Sequence, residues 1–246
     1  MEENKNKFET VIPLLKKDMK IIQRADYFSF SLDSLLVAEF ATITKSTKNI
    51  LDLGTGNGVI PLFLSKRTKS HISGIEIQEV SYDLACRNIK LNKLEEQIDI
   101  IHDDMKNSLK HFRATSLDLI VCNPPFFKFN GEKKQLNDLD SLTLARHEIT
   151  INLDGIIKTA SSLLKDKGYF TMVHRVDRLI DIIETMKKYD IEPKKMRFCY
   201  SKLGKEGKIL LIEGVKYGNP GLRIMPPLIA HDEDGKYSKE VLQMFE

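Results

Sequence analysis

Asn123, Pro124, Pro125 and Phe126 follow directly on the apolar run 117–122. Proline fixes its own φ, has no N–H to donate, and pushes the residue before it into extended geometry. A strand over 117–122 therefore stops abruptly, with an Asn amide, a Pro carbonyl and an aromatic ring projecting from its carboxyl end. Two acceptors and a stacking face suit a planar amino group. If the Asn123 oxygen and the Pro124 carbonyl both accept from its N–H bonds, the nitrogen is drawn toward tetrahedral geometry and its lone pair is freed for attack. Phe126 would stack an extruded base, a contact worth about 1–3 kcal/mol. The segment contains no His, Glu or Lys, and none is required if the proton leaves after the nitrogen has reacted.

A second constellation is Asp52-Leu53-Gly54-Thr55-Gly56-Asn57-Gly58. Alternate glycines let the backbone approach a ligand closely and aim N–H groups at it. The dinucleotide fingerprint requires G-x-G-x-x-G. Counted from Gly54 the third glycine position is Val59, and from Gly56 it is Pro61, so a pyrophosphate-bearing NAD or FAD is disfavoured. Glu76, at the end of Gly74-Ile75-Glu76, stands where a carboxylate can accept hydrogen bonds from both hydroxyls of a ribose. The plain alternative is an exposed strand-end acid. Asp103 and Asp104 form a third acidic turn, and a pair of solvated turn acids is the alternative there.

These residues need elements to hold them. Alternation at 19–23 and 27–30 suggests a short extended or hairpin-like lead-in, and Asp33 is a good N-cap for a helix over 34–41. Strands are expected at 49–53, 72–77, 98–102, 117–122 and 168–174, and helices at 59–67, 80–91, 156–164 and 176–188. Two last strands, near 196–200 and 209–215, lack a long helix between them and should pair antiparallel at one edge. Strand–helix alternation implies a largely parallel sheet covered on both faces, with ligands outside the carboxyl ends of its strands. Every residue singled out above falls at such an end.

The 246 residues suffice for one large α/β domain, with a lead-in and helix over 1–45 and a catalytic core over 46–246. No apolar stretch approaches the roughly 18 residues of a membrane span. The N-terminus lacks the basic-then-apolar layout of a signal peptide. The three cysteines are scattered without metal-like spacing and read as reduced core residues. A cytoplasmic enzyme without a metal is the expectation. A net charge of +3 permits nucleic acid as partner without demanding it. The lysine clusters at 133–134, 187–188, 194–195 and 202–208 are either solvated faces or parts of a basic surface.

The glycine loop with its preceding acid resembles the first motif of S-adenosylmethionine-dependent methyltransferases. Asn-Pro-Pro-Phe narrows the resemblance to the class I branch that methylates adenine N6 and amide nitrogens. Within that branch the chain resembles the bacterial family that methylates N6 of adenine-37 in valine tRNA. The likeness covers nearly the whole chain: Phe28 to Ala38, Leu51 to Pro61, Cys122 to Phe127, Ala145-Arg146-His147-Glu148, Val173-His174-Arg175 and Leu222 to Leu228. It implies a Rossmann-like α/β fold, a mostly parallel seven-stranded sheet with an antiparallel edge strand and helices on both faces. It implies S-adenosyl-L-methionine as cofactor and tRNA as partner. Gly54, Gly56, Gly58, Glu76 and Asn123 would surround the cofactor, and Asp52 would orient the glycine loop or meet the cofactor's ammonium through water. In the superfamily an acid after the third strand receives the adenine amino group, here Asp104, or else Asp103. Asp33 would border the methionine end or simply cap its helix. Phe127, Arg146 and His147 would face the RNA, although Arg146 and Glu148 could equally form an ion pair that shapes the loop. Segment 127–145 reads as a lid or RNA-contact loop, or as a plain insertion. One departure stands out: Gly204-Lys205-Glu206-Gly207-Lys208 replaces an Arg-Glu-Ala-Asn-like run of the family, which would alter tRNA preference if that loop touches RNA.

Two relatives of this chemistry remain as alternatives: a glutamine amide in a protein, or guanine N2 in ribosomal RNA. The glutamine enzymes favour Tyr after Asn-Pro-Pro and carry an N-terminal helical domain for which the lead-in leaves no room. The guanine enzymes have a duplicated domain that the length excludes. A catalytically silent RNA-binding module is a third, opposed by the intact loop, Glu76 and Asn123.

Overall fold

The computed structural model describes residues 9–14, 19–24, 31–124 and 153–245. A hairpin of β1 (Glu9–Pro13) and β2 (Lys20–Arg24) precedes α1 (Leu32–Phe40). Then come β3 (Asn49–Leu53), α2 (Val59–Arg67), β4 (His71–Glu76), α3 (Glu79–Leu91), β5 (Ile98–His102), a 3-10 turn (Met105–Lys110) and β6 (Leu117–Cys122). After the undescribed segment follow α4 (Leu153–Leu163), β7 (Leu164–Arg175), α5 (Leu179–Lys188), β8 (Ile191–Tyr200), β9 (Gly207–Lys216), β10 (Arg223–Ile224), β11 (Leu228–Ile229) and α6 (Lys239–Met244).

The seven long strands β3 to β9 lie in the order β5-β4-β3-β6-β7-β9-β8, and the two-residue strands β10 and β11 both pair with the outer side of β8. All long neighbours run parallel except at β9, which opposes both β7 and β8. The last two long strands therefore pair antiparallel at that margin, and the reversed strand sits one place in from the edge because β8 lies outside it. The chain order reverses between β3 and β6, which makes their carboxyl ends the topological switch point where such sheets bind ligands.

Alternation along the strands divides the core. Ile50, Leu119, Val121 and Val173 face α1, α2 and α3, while Leu51, Leu53, Cys122, Phe170 and Met172 face α4 and α5. The central strands are apolar on both faces, as a sheet buried between two helix layers requires. The α1 helix begins two residues earlier than the sequence suggests: Ser31 occupies the N-cap position and Asp33 sits in the first turn. A carboxylate there still meets the positive end of the helix.

Three polar clusters lock these layers together, the first of them buried. Glu213 of β9 is almost fully buried and accepts from the Thr42 N–H (2.7 Å), the Thr42 hydroxyl (2.6 Å) and the Thr171 hydroxyl (2.7 Å). Lys195 of β8 lies 3.0 Å from the same carboxylate, and also donates to the Phe40 carbonyl (2.7 Å). The end of α1 is thereby clamped to three strands. Asn88 and Asn92, one turn apart on α3, act as a short strand edge for β2. Asn88 Oδ1 accepts from Ile22 N–H (2.6 Å) and Asn92 Oδ1 from Lys20 N–H (3.0 Å). Their amide nitrogens return bonds to the Ile22 (3.2 Å) and Lys20 (2.8 Å) carbonyls. Arg87 completes the docking with a bidentate pair to Glu9, both bonds 2.8 Å.

Candidate active site

The loop after β3 turns on three glycines of positive φ: Gly54 (+74°), Gly56 (+56°) and Gly58 (+80°). The N–H groups of Gly54 and Thr55 both reach the Ile75 carbonyl at 3.0 Å, tying the loop to the end of β4. At Gly58 two constraints coincide. Its backbone is left-handed, and an added Cβ would lie 3.2 Å from the Cβ of Ala85 on α3. Gly56 is different: nothing lies within 4 Å of where its Cβ would be. That opening is the side from which a ligand can approach the backbone. Gly74 in β4 serves the loop from below, since a Cβ there would sit 2.8 Å from Thr55 Cγ2.

Glu76 faces this opening. Its Oε2 accepts from Gly56 N–H and its Oε1 from Gln78 N–H, each at 2.8 Å. Each oxygen keeps a further lone pair. Burial raises its pKa, and the bonds from Gln78 and Gly56 work against that rise. Asp52 has less help. It is fully buried, and neither carboxylate oxygen has a hydrogen-bond partner; the Thr55 hydroxyl is likewise unpaired. Burial pushes its pKa up to about 7, with the nearby Thr55 hydroxyl opposing and the Glu76 charge reinforcing the shift. A buried carboxylate without a hydrogen bond needs an explanation, and the raised pKa gives one: near neutrality the carboxyl is held partly protonated.

Asp103 and Asp104 part company. Asp103 accepts from Asn107 Nδ2 (2.8 Å) and Asp104 N–H (2.7 Å), and meets His111 Nε2 at 2.7 Å. Those bonds, led by Asn107 and His111, hold its pKa down at about 2. Asp104 caps the 3-10 turn by accepting from Lys106 N–H (2.9 Å) through Oδ1, and its Oδ2 has only a 4.0 Å approach from the Lys106 ammonium. Asp103 is occupied in shaping the turn, whereas Asp104 has an oxygen to offer. Beside them Ile77 is 44% exposed at the end of β4, an apolar side chain left open to solvent next to Glu76. The Met105 methyl, 3.3 Å from the virtual Cβ of Gly54, lines the other side of the loop.

Asn123 lies one residue beyond β6, half-buried, with Pro124 buried behind it. β6 pairs with β3, so the Asn amide and the glycine loop share the switch point. Asn123 Nδ2 donates to Ser34 Oγ at 3.1 Å, and Ser34 is itself buried in α1. With its nitrogen so engaged, the amide has its oxygen left to accept. Asp33 precedes Ser34, and burial raises its pKa. His174, near the end of β7, is buried and its pKa falls to about 4, because burial and then Arg178 disfavour the imidazolium. Phe126, Phe127, Arg146 and His147 lie outside the described residues.

The structure thus brings Asp52, Gly54, Gly56, Gly58, Glu76, Asp104 and Asn123 to neighbouring strand ends of one sheet edge, with Asp33 on the helix that Asn123 touches. Four other residues join them, none assigned a role from the sequence: Ser34, Ile77, Met105 and Asn88, whose Nδ2 also donates to the Asn57 carbonyl of the glycine loop (2.9 Å). Ser34 lies inside the 28–38 stretch that carries the resemblance, and Asn88 is one of two amides spaced i,i+4 at the end of α3; Ile77 and Met105 bear no such mark.

Comparison with known proteins agrees with this geometry. A family model described as "Methyltransferase small domain" matches residues 30–190. A protein of Aliivibrio salmonicida named tRNA1(Val) (adenine(37)-N6)-methyltransferase is 30% identical over 215 residues, covering 87% of each chain. One of Porphyromonas gingivalis with the same name is 32% identical, covering 81% of this chain and 78% of its own. Among solved structures, a predicted O-methyltransferase of Agrobacterium tumefaciens superposes with a TM-score of 0.68 at 17% identity, covering 87% of this chain and 95% of that one. TYW2 of P. horikoshii, in complex with MeSAdo, gives 0.59 at 16% identity, covering 86% and 72%. The chain belongs to the methyltransferase small domain family, among the tRNA1(Val) (adenine(37)-N6)-methyltransferases.

Proposed function

We propose that this chain is an S-adenosylmethionine-dependent methyltransferase acting on the exocyclic N6 of adenine-37 in valine tRNA, a cytoplasmic enzyme working as one catalytic unit over 1–246. The observation that carries the reading is Asn123: an amide at the switch point, its nitrogen held by Ser34 and its oxygen left to accept, next to a glycine loop with an orphaned acid.

The residues fit the cofactor. Glu76 has lone pairs for two ribose hydroxyls, Asp104 has an oxygen for the adenine amino group, and Ile77 and Met105 give apolar walls to a purine. Asp52, buried beneath the glycine loop, shapes that loop and meets the positive charge of the amino-acid end through water, with Asp33 bordering it from α1. Bound there, S-adenosylmethionine supplies a methyl group already activated by a sulfonium. The protein's own share is alignment and electrostatics. Asn123 Oδ1 and the Pro124 carbonyl accept from the two N–H bonds of the target amine and turn its lone pair toward the methyl. Ser34 keeps the amide from rotating. Phe126 would stack the flipped base, and Phe127, Arg146 and His147 are the candidate contacts to the RNA.

Asn123→Ala tests the role directly. It should lower kcat by at least about 10²-fold, the scale for losing a preorganised polar contact to the reacting group. Cofactor affinity by calorimetry should stay within about threefold; equal loss of both would assign Asn123 to cofactor binding alone.

A further inference from the structure

The β8–β9 arm stands above the site. Through Met172 and Ile212, Met196 of β8 is level with Cys122 of β6, so Phe198 is level with Pro124. Ser201 lies three residues further, about 10 Å past that level and about three strand spacings, roughly 14 Å, to the side. At this tip an open depression of about 450 Å³ is lined by Ser201, Lys202, Lys205, His231 and Gly235. Its lining is two ammonium groups, an imidazole, a hydroxyl and a glycine, with no carboxylate among them. Lys202 donates to the Glu233 carbonyl (3.2 Å) and keeps two donors, and His231 is held in place by the Ser201 carbonyl (3.1 Å) and by stacking on Tyr237 (5.1 Å). Asp232, Glu233 and Asp234 are exposed on the same turn but do not line the depression.

Apart from Lys194, which donates to the Asn219 (2.9 Å) and Pro220 (3.4 Å) carbonyls, the other described basic clusters are paired with carboxylates. Lys195 is taken by Glu213, Arg197 by Glu240 (2.6 Å), Lys188 by Asp154 (2.6 Å) and Lys187 by Glu192 (3.6 Å). Lys187 and Lys188 also precede β8 and so sit at the opposite, amino edge of the sheet. The cluster at the arm's tip differs on both counts.

We infer that this depression holds a backbone phosphate of the tRNA, seated by the Lys202 and Lys205 ammonium groups with His231 as a wall, and so fixes the RNA at a second point beside the Asn123 cleft. The inference rests on the tRNA reading above and adds the place where the RNA is gripped. A macromolecular substrate whose target base must reach the rim gains register from such a contact, which positions without reading sequence.

The test is binding of an in-vitro transcribed valine tRNA across a salt series by fluorescence anisotropy. Lys202→Ala/Lys205→Ala should raise Kd about tenfold and flatten the log Kd against log salt slope by about 1, the amount for one neutralised phosphate. Cofactor affinity should not change. The matched double variant Lys187→Ala/Lys188→Ala should leave Kd within about twofold. Unchanged affinity and slope in the first variant, or equal losses in both, overturns the inference. Product analysis on the wild type separates the two levels: a wild type that methylates tRNA while the first variant binds normally sinks the phosphate seat alone, and one that methylates no tRNA sinks both.

Discussion

Asp52 makes the most exposed chemical commitment of any single residue here. Its carboxyl has a folded pKa of about 7, against roughly 3.9 in an unfolded chain. Between those values the native state holds a proton that the unfolded chain has released, so rising pH withdraws stability across that window. Asp52→Asn should remove the slope: equal in stability to wild type near pH 4, and more stable by about 2–4 kcal/mol at pH 8 in urea unfolding. A difference independent of pH would contradict the assignment. Asp103 works in the opposite sense and in another window. Its pKa of about 2 contributes stability that is lost only as pH falls below 4, so the two effects separate cleanly. If Asp52 meets the cation of the cofactor, binding near pH 6 should release a proton, visible in calorimetry as a dependence on buffer ionisation enthalpy. Affinity should then rise with pH up to about 7. The residues carrying this chemistry were legible because glycine, proline and acid types at fixed spacing have few other uses. Ser34 was not, because its contact with Asn123 joins positions 89 apart in sequence.

At the scale of elements, the site depends on how α1 and the β1–β2 hairpin are held. Lys195→Met leaves the Glu213 carboxylate buried without its cation. That should cost about 3–5 kcal/mol, a loss of roughly 10 °C in Tm for a chain of this size. Lys195→Met/Glu213→Leu should recover part of it. Asn88→Ala removes one of three ties between the hairpin and α3 and cuts the Asn57 carbonyl loose from that helix. It should destabilise by about 1–3 kcal/mol and weaken cofactor binding several-fold; unchanged cofactor affinity would show that the glycine loop holds its shape unaided. The bounds of β3, α2, β5 and β6 could be read from the sequence because buried parallel strands are short apolar runs closed by glycine, acid or proline. β10 and β11 could not, since two residues pairing with an edge strand have no periodicity to detect. The 3-10 turn after β5 hid for a related reason: its cap, Asp104, looks in sequence like any turn acid.

Across the whole molecule, the carboxyl edge of the sheet gathers the cofactor loop, the Asn-Pro end of β6 and the raised β8–β9 arm, while most of the paired lysines lie elsewhere. No helix among the described residues is long and apolar enough to cross a membrane. Net charge alone gave little hint of where RNA would sit, because buried and paired lysines count equally with free ones; only the fold sorts them. The central claim is tested most directly by incubating the protein with total tRNA and methyl-labelled S-adenosylmethionine, then digesting the RNA to nucleosides. The label should appear in N6-methyladenosine and concentrate in valine tRNA. Label in a methylated guanosine or in protein, or none in RNA, would contradict it.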